Sequence, residues 1–167
     1  DLDKAAKEAE AVVIAAPSKN FREVTERLSF FSGLVISVTK GIEYDTGLTM
    51  SGILSETMPK AGRAVLSGPT LALEVAKQTP SAIVAASEVE NRAQIVQGLF
   101  MRPYFRVYSC LDVRGVELGG ALKNTVAIGA GICDGLGFGD NAKAALVTRA
   151  IVEMRRLGVA CGANAET

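Results

Sequence analysis

The hydrophobic and polar positions of this chain follow two alternating patterns over the first two thirds of its length. Short apolar runs predict buried strands, and between them apolar residues recur every three or four positions, as on one face of a helix. The predicted strands are Ala11–Ala16, Leu34–Thr39, Ala64–Ser67, Ser81–Ala86 and Phe105–Ser109, and the predicted helices follow Ser18 and cover 51–58, 69–75 and 88–100. This rhythm is typical of an α/β sheet with substantial parallel character.

The pattern changes near residue 112. Residues 113–132 form a long apolar stretch rich in small side chains, with no alternation of the kind that strands show. The glycine-rich segment DGLGFGDN follows over 134–141, and residues 142–157 are strongly helical in pattern. We therefore predict a sheet domain over 1–110 and the start of a helical domain over 111–167.

The two ends of the chain predict a piece of a larger protein. A charged helical segment over 1–10 runs directly into a strand, and the chain finishes with GANAET just after a helix. An open α/β sheet normally begins with a strand, so this chain is expected to start partway through the sheet. A natural small domain with a helical N-terminus is the alternative.

Composition narrows the classes of function. With 167 residues, 49% of them hydrophobic, the chain is long enough to bury a substantial core. The 18 basic and 18 acidic side chains balance, which argues against a broad electrostatic footprint for nucleic acid. No apolar run approaches the roughly 20 residues that a membrane-spanning helix needs, so no membrane insertion is expected.

The reactive side chains restrict the chemistry further. The chain has no histidine, which excludes Ser-His-Asp and Cys-His triads and leaves acid–base work to lysine, carboxylates, tyrosine, cysteine or water. Its three cysteines, Cys110, Cys133 and Cys161, are widely spaced. They predict buried thiols in a reducing compartment, with no disulfide framework and no metal site.

The glycine-rich segment is a weak signal for a nucleotide. Gly135, Gly137 and Gly139 read G-x-G-x-G and follow a predicted helix. The dinucleotide fingerprint needs G-x-G-x-x-G between a strand and a helix. We interpret this segment as a connection between two helices.

Two polar segments follow predicted strands, at the ends where open α/β sheets bind ligands. Lys40 comes directly after Thr39 and before Gly41, and it is interpreted equally well as a ligand contact or as a solvated loop lysine. The segment SGPT, Ser67–Thr70, ends a strand and is predicted to open a helix with Pro69 in its first turn. Such a start suits a phosphate or carboxylate, although ordinary helix capping explains it too.

Lys123 is the least expected residue, because it stands inside the apolar stretch GVELGGALKNTVAIGAGI. A lysine there must extend to solvent, pair with a carboxylate or serve chemistry. Glu117 or Asp112 is a candidate structural partner. The neighbouring Asn124 is placed to orient a substrate or to hold the lysine.

Several segments together closely resemble NAD(P)-dependent glycerol-3-phosphate dehydrogenase, from about residue 11 to residue 162. They are PSKNF, SVTKGIE, LSGPTLALEVA, FRVY, GVELGGALKNTVAIGAGICDGLGFGDNAKAAL and EMRRLG. The resemblance implies the second half of a Rossmann-type doubly wound sheet, followed by the first helices of an all-α domain. It also implies the interconversion of sn-glycerol 3-phosphate and dihydroxyacetone phosphate by hydride transfer with NAD or NADP, a reaction that feeds glycerophospholipid synthesis.

The resemblance assigns roles position by position. Lys123 of GALKN is implied to be the proton donor and acceptor, with Asn124 beside it, and Lys40 of TKG is implied to contact both cofactor and substrate. Gly68 and Thr70 are implied to contact the glycerol phosphate, and Ala72 the cofactor. Phe21 of PSKNF is a further candidate cofactor neighbour.

This chain departs from the family pattern in two segments. It contains neither the G-x-G-x-x-[GA] strand–loop–helix that opens the family's Rossmann domain nor the distal S-R-N segment, so we expect these residues alone to be nearly inactive. The intact enzyme is expected to be a cytoplasmic homodimer acting on a phosphorylated small molecule; an organelle stroma is the alternative location. A hydroxyacid or ketopantoate-type dehydrogenase and a non-catalytic phosphate-binding or assembly module are the alternative functions.

Overall fold

The structure, a computed structural model, describes residues 2–167. Asp1, which the predicted N-terminal helical segment includes, lies outside the described residues. The strands are β1 (Ala11–Ile14), β2 (Leu34–Ser37), β3 (Gly62–Ser67), β4 (Ser81–Ala86) and β5 (Phe105–Cys110). The helices are α1 (Leu2–Lys7), α2 (Phe21–Arg27), α3 (Met50–Thr57), α4 (Ala72–Ala76), α5 (Glu90–Phe100), α6 (Val113–Gly135) and α7 (Asp140–Ala160).

The five strands form one sheet in chain order, β1-β2-β3-β4-β5. β1, β2 and β3 pair in parallel, and β4 pairs in parallel with β5. β3 and β4 are antiparallel, which makes the sheet mixed. The pattern of apolar residues predicts each of the five strands but not this reversal, because SAIVAA is a nearly continuous apolar run in either direction.

The sheet separates two hydrophobic cores. Neighbouring residues of β2 point to opposite faces, so that Val35 packs in one core and Ile36 in the other. The first core holds side chains of α2 and α3, including Phe21, and the second is built with α5 around Val96. Both cores therefore pack on the same sheet, one on each face.

Two helix starts differ from their prediction. Ser18 does not cap α2: residues Ser18–Asn20 form a 3₁₀ turn, and α2 begins at Phe21 without a side-chain capping bond. The helix expected from Pro69 begins only at Ala72, because Leu71 is still extended. α4 is consequently five residues long, and Thr70 lies before it, after the bend at Gly68 and Pro69.

The glycine-rich segment connects two helices, as predicted. α6 ends at Gly135 and α7 begins at Asp140, so that only residues 136–139 lie between them. Gly137 has a φ of +71°, a left-handed conformation that glycine adopts without steric penalty. Lys143 of α7 forms an ion pair with Asp134 of α6 at 2.6 Å, which fastens the two ends of this hairpin.

Arg22 of α2 links the loop between β2 and α3 to both of these helices. Glu43 accepts two hydrogen bonds from the guanidinium of Arg22, at 2.9 and 2.7 Å, and one from the hydroxyl of Thr46 at 2.6 Å. Arg22 of α2 also pairs with Glu56 of α3 at 2.8 Å. These hydrogen bonds, from Arg22 first and then Thr46, lower the pKa of Glu43 to about 2.

This lowered pKa predicts an acid-sensitive contribution to stability. A carboxylate whose pKa is depressed by folding stabilises the protein above its unfolded pKa of about 4.3, and that stabilisation is lost as the pH falls toward the folded value. In the full-length protein, Glu43→Gln should lower the urea-unfolding midpoint by a constant amount from pH 7 to about pH 5. The difference from wild type should shrink below about pH 4.5 and vanish near pH 2. Glu26→Gln, an exposed carboxylate on the same helix as Arg22, is the control; an equal pH dependence for both variants would contradict the assignment.

Candidate functional site

Lys40 and the segment after β3 meet at one edge of the sheet. β2 and β3 are parallel, so their carboxyl ends lie side by side, and the residues that follow them are neighbours. The ammonium of Lys40 donates a hydrogen bond to the backbone carbonyl of Gly68 at 2.9 Å. The side chain of Lys40 thus lies over the carboxyl ends of the strands, where α/β sheets bind ligands.

Lys123 acts electrostatically on Lys40. Burial lowers the pKa of the half-buried Lys40, and the positive charge of Lys123 lowers it further. Among residues 2–167, none of the ion pairs within 4.0 Å involves either lysine. Two interacting lysines without an acidic partner favour an anion or an oxygen that gains negative charge during a reaction.

The two carboxylates that could neutralise Lys123 have other partners. Asp112 accepts hydrogen bonds from the backbone N–H groups of Gly115 at 2.9 Å and Asn164 at 2.8 Å. Burial raises the pKa of Asp112, but these bonds, with the Thr167 hydroxyl and the charge of Arg114, lower it overall. Glu117 accepts from the backbone N–H and the hydroxyl of Ser51, at 2.8 and 2.5 Å. Lys123 is therefore not the partner of either carboxylate.

α6 approaches the sheet closely at Gly120. A Cβ atom built on Gly120 would collide with the hydroxyl oxygen of Ser67, the last residue of β3, and would lie 3.7 Å from Cγ of Lys40. Gly119, the preceding residue, has no atom within 4 Å of such a Cβ among the described residues. A side chain at position 120 would therefore have to displace the Ser67 hydroxyl or α6, whereas one at position 119 would meet no atom within 4 Å among the described residues.

A small recess lies where these elements meet. Its walls include Ser37, Lys40, Ser67 and Glu117. The hydroxyl oxygen of Ser37 is buried and has no hydrogen-bond partner among the described residues. Sequence reasoning missed Ser37 as a contributor to this region and considered Glu117 only as a partner for Lys123. The signal for Glu117 was present, since it is the other charged residue of the apolar stretch that contains Lys123.

The remaining predicted site residues differ in their surroundings. Gly68 and Thr70 are half-buried, and Ala72 and Asn124 are exposed. The side chain of Phe21 is fully buried in the first core, so its ring is not presented to a ligand, and a cofactor contact there stays a prediction that this burial opposes. Because α4 starts at Ala72 and has only five residues, no helix begins at Pro69 to place N–H groups around an anion at Thr70.

Residues 2–167 present neither a cluster of metal ligands nor a membrane-spanning helix. Over residues 2–167, no group of three or more cysteine or carboxylate side chains is arranged to hold a metal ion. Within the same residues, no helix combines the length and the apolar character needed to cross a membrane. Cys110, Cys133 and Cys161 are free thiols, but the prediction that they are buried is wrong, because Cys110 and Cys133 are partly exposed and Cys161 is exposed.

Comparison with protein families gives two matches, one on each side of the sheet–helix junction. Residues 1–93 match the family described as NAD-dependent glycerol-3-phosphate dehydrogenase N-terminus. Residues 112–167 match the NAD-dependent glycerol-3-phosphate dehydrogenase C-terminus.

Curated relatives share the same description. The chain is 47% identical to the glycerol-3-phosphate dehydrogenase (NAD(P)+) of Syntrophomonas wolfei over 173 residues, covering 100% of this chain and 50% of the relative. It is 48% identical to the enzyme of the same name from Syntrophotalea carbinolica, covering 100% of this chain and 52% of the relative. The chain therefore spans about half the length of the curated relatives it matches.

Solved structures show the same fold. The glycerol-3-phosphate dehydrogenase of Coxiella burnetii superposes with a TM-score of 0.91 at 35% identity, over 99% of this chain and 52% of that one. The Dunaliella salina structure, named DsGPDH, gives 0.86 at 34% identity, over 95% of this chain and 31% of that one. A pyrroline-5-carboxylate reductase of Coxiella burnetii, with a TM-score of 0.52 at 14% identity over 99% of this chain and 63% of that one, shares the fold alone.

The close approach of α6 to β3 predicts opposite effects at two adjacent glycines. In the full-length protein, Gly120→Ala should lower the free energy of unfolding by about 1–3 kcal/mol, because the new methyl group displaces Ser67 or the helix. Gly119→Ala should leave it unchanged or raise it by up to about 1 kcal/mol, because alanine favours the helix. The measurement is urea unfolding of both variants.

A double variant locates the collision. Ser67→Ala removes the hydroxyl that the added Cβ would meet, so Gly120→Ala should be less destabilising in the Ser67→Ala background than in wild type. The same loss in both backgrounds would show that Ser67 is not the residue that excludes a side chain at position 120.

Proposed function

The chain belongs to the NAD-dependent glycerol-3-phosphate dehydrogenase family, and on that premise we propose that the whole protein interconverts sn-glycerol 3-phosphate and dihydroxyacetone phosphate with NAD or NADP. One observation carries the proposal beyond the family likeness. Lys40 lies at the carboxyl edge of the sheet, Lys123 lies about one helical turn beyond Gly120, where α6 packs beside Ser67 and Lys40, and neither lysine forms an ion pair among residues 2–167. That arrangement suits a substrate with a phosphate and a carbonyl oxygen that becomes negative.

The described residues fit one end of the cofactor and not the other. When bound, the nicotinamide supplies or accepts the hydride. The edge of the sheet at Lys40 suits the nicotinamide end of the cofactor. A nicotinamide there would lie near the two lysines, at the carboxyl ends of the strands. The pyrophosphate has no corresponding loop in these 167 residues, which contain no G-x-G-x-x-G.

The two lysines have separate tasks in the proposed mechanism. During ketone reduction the carbonyl oxygen of dihydroxyacetone phosphate gains negative charge, and Lys123 gives it a proton. In the reverse direction Lys123 accepts the proton from the hydroxyl of glycerol 3-phosphate. Lys40 keeps its place through the carbonyl of Gly68 and stabilises the negative oxygen and the substrate phosphate. A lysine performs proton transfer here in a chain that has no histidine.

The other proposed contacts surround these two lysines. Gly68 and Thr70 follow β3 and are half-buried, and the carbonyl of Gly68 binds Lys40, which suits contacts to the glycerol phosphate. Ala72 is exposed at the start of α4 and is proposed to contact the cofactor. Asn124 is proposed to orient the substrate next to Lys123.

The setting of the enzyme is also a proposal. Three free thiols support a reducing compartment such as the cytoplasm, in which glycerol 3-phosphate supplies glycerophospholipid synthesis. A homodimer is proposed for the intact enzyme.

The first experiment is the oxidation of NADH and of NADPH by the full-length protein, dependent on dihydroxyacetone phosphate. We expect turnover by the full-length protein and little or none by residues 1–167 alone. Turnover with a ketopantoate-type substrate but not with dihydroxyacetone phosphate would contradict the proposal in favour of a related dehydrogenase. Binding of substrate or nucleotide without turnover would favour a non-catalytic module.

Lys123→Met tests the proton transfer. The substitution keeps the length of the side chain and removes its proton, so kcat should fall about 100- to 10,000-fold while the Kd for the nucleotide changes little. Lys60→Met, at an exposed turn before β3, is the matched control and should keep wild-type activity. Near-normal turnover by Lys123→Met would rule out the proposed role of Lys123.

A further inference from the structure

Glu117 is a charged residue in an unusual place. Among residues 2–167 it is the one charged residue that is buried, with 7% of its surface exposed. A buried carboxylate is costly unless hydrogen bonds replace the water it loses. No cation lies within ion-pair distance of Glu117 among those residues, so its stabilisation comes from other groups.

Those groups belong to the N-terminus of α3, 66 residues away in the chain. One carboxylate oxygen accepts the backbone N–H of Ser51 at 2.8 Å, and the other accepts the Ser51 hydroxyl at 2.5 Å. The hydroxyl of Thr49 lies 3.3 Å from the hydroxyl of Ser51. Thr49 is the N-cap residue of α3 but makes no side-chain capping bond of its own. Glu117 therefore supplies the acceptor that the free N–H groups at a helix start require, and its charge suits that end of the helix.

This contact joins the two parts of the candidate site. α3 follows the loop that begins with Lys40, whereas Glu117 belongs to the helix that carries Lys123. Glu117 also lines the recess beside Lys40, and at Gly120, about one helical turn further along α6, a Cβ atom would collide with Ser67. Lys123 lies roughly 9 Å along the helix axis from Glu117, at 1.5 Å per residue. The height and rotation of α6 on α3 consequently set where Lys123 stands relative to Lys40.

We propose that Glu117 is a positioning residue for the reaction: by accepting hydrogen bonds from the N-terminus of α3, its carboxylate holds α6 where Lys123 and Lys40 face one substrate. This inference rests on the proposed function. Glu117 touches neither substrate nor cofactor in this assignment, and its effect on turnover passes through Lys123. A displacement of about 1 Å in a reacting group can reduce a rate about 100-fold, so a modest shift of α6 is sufficient.

The test is a double-variant cycle in the full-length enzyme, with kcat and KM measured for dihydroxyacetone phosphate and the nucleotide. Glu117→Ala should lower kcat by roughly 10- to 100-fold with little change in the KM for the nucleotide. In the Lys123→Met background the same substitution should lower the residual kcat less than twofold, since Lys123 no longer needs to be placed. Glu26→Ala, an exposed carboxylate on α2, should lower kcat in neither background.

Milder variants keep the test decisive if Glu117→Ala does not fold. Glu117→Gln keeps the length of the side chain and an acceptor for the Ser51 N–H, so it should restore most of the activity lost in Glu117→Ala. Ser51→Ala removes the hydroxyl bond alone and should give an intermediate loss that also disappears in the Lys123→Met background.

The outcomes separate this inference from the function on which it rests. An equal loss of kcat with and without Lys123 would make Glu117 merely structural and overturn the inference. Wild-type kcat in Glu117→Ala would overturn it as well. A full-length protein that is folded but inactive on dihydroxyacetone phosphate would instead overturn the proposed function.

Discussion

The parallel pairing of β2 with β3 is the constraint on which the candidate site depends. It places the residues after both strands at one edge, so that Lys40 reaches the carbonyl of Gly68 without any long loop. β1 extends the same parallel arrangement, and the hydroxyl of Thr39 donates to the carbonyl of Ala16 at 2.7 Å, which fixes the turn before Lys40 to the neighbouring strand. A reversal of β2 would carry Lys40 to the opposite edge and leave the segment after β3 without it.

The candidate site also requires that α6 pass close to this edge of the sheet. Two residues of α6 allow this approach in different ways. Gly120 removes the side chain that would hold α6 away from Ser67, and Glu117 attaches the helix to α3 by hydrogen bonds. The burial of Glu117 raises its pKa, while the bonds from Ser51, the hydroxyl of Thr49 and the charge of Arg114 lower it in part. Packing alone brings α6 near the sheet, but a hydrogen-bonded carboxylate also specifies its rotation, because both oxygens have directional partners.

Much of this fold follows from local pattern. All five strands and the hairpin of α6 and α7 are predictable, since buried strands and long helices differ in the spacing of their apolar residues. Strand direction is not, because the run over β4 is apolar on both faces. The start of α4 also escapes prediction: proline suits the first turn of a helix, yet here Leu71 remains extended, so α4 begins three positions after Pro69.

The sequence predicts those residues of the candidate site that follow a strand or that are charged within an apolar segment. It predicts the other residues of the site less well. Lys40 and Lys123 stand out for these two reasons, but nothing local in the sequence tells Gly119 from Gly120, since the difference lies in Ser67, more than fifty positions away. The same limit applies to Glu117, whose partners are on α3. Sequence reasoning finds the groups that can do chemistry, whereas the groups that place them become visible only when distant elements are brought together. At this site the residues that position the lysines are more constrained than the lysines themselves. A lysine side chain is long and adaptable, whereas α6 packs so closely on β3 that a Cβ atom at position 120 would collide with Ser67.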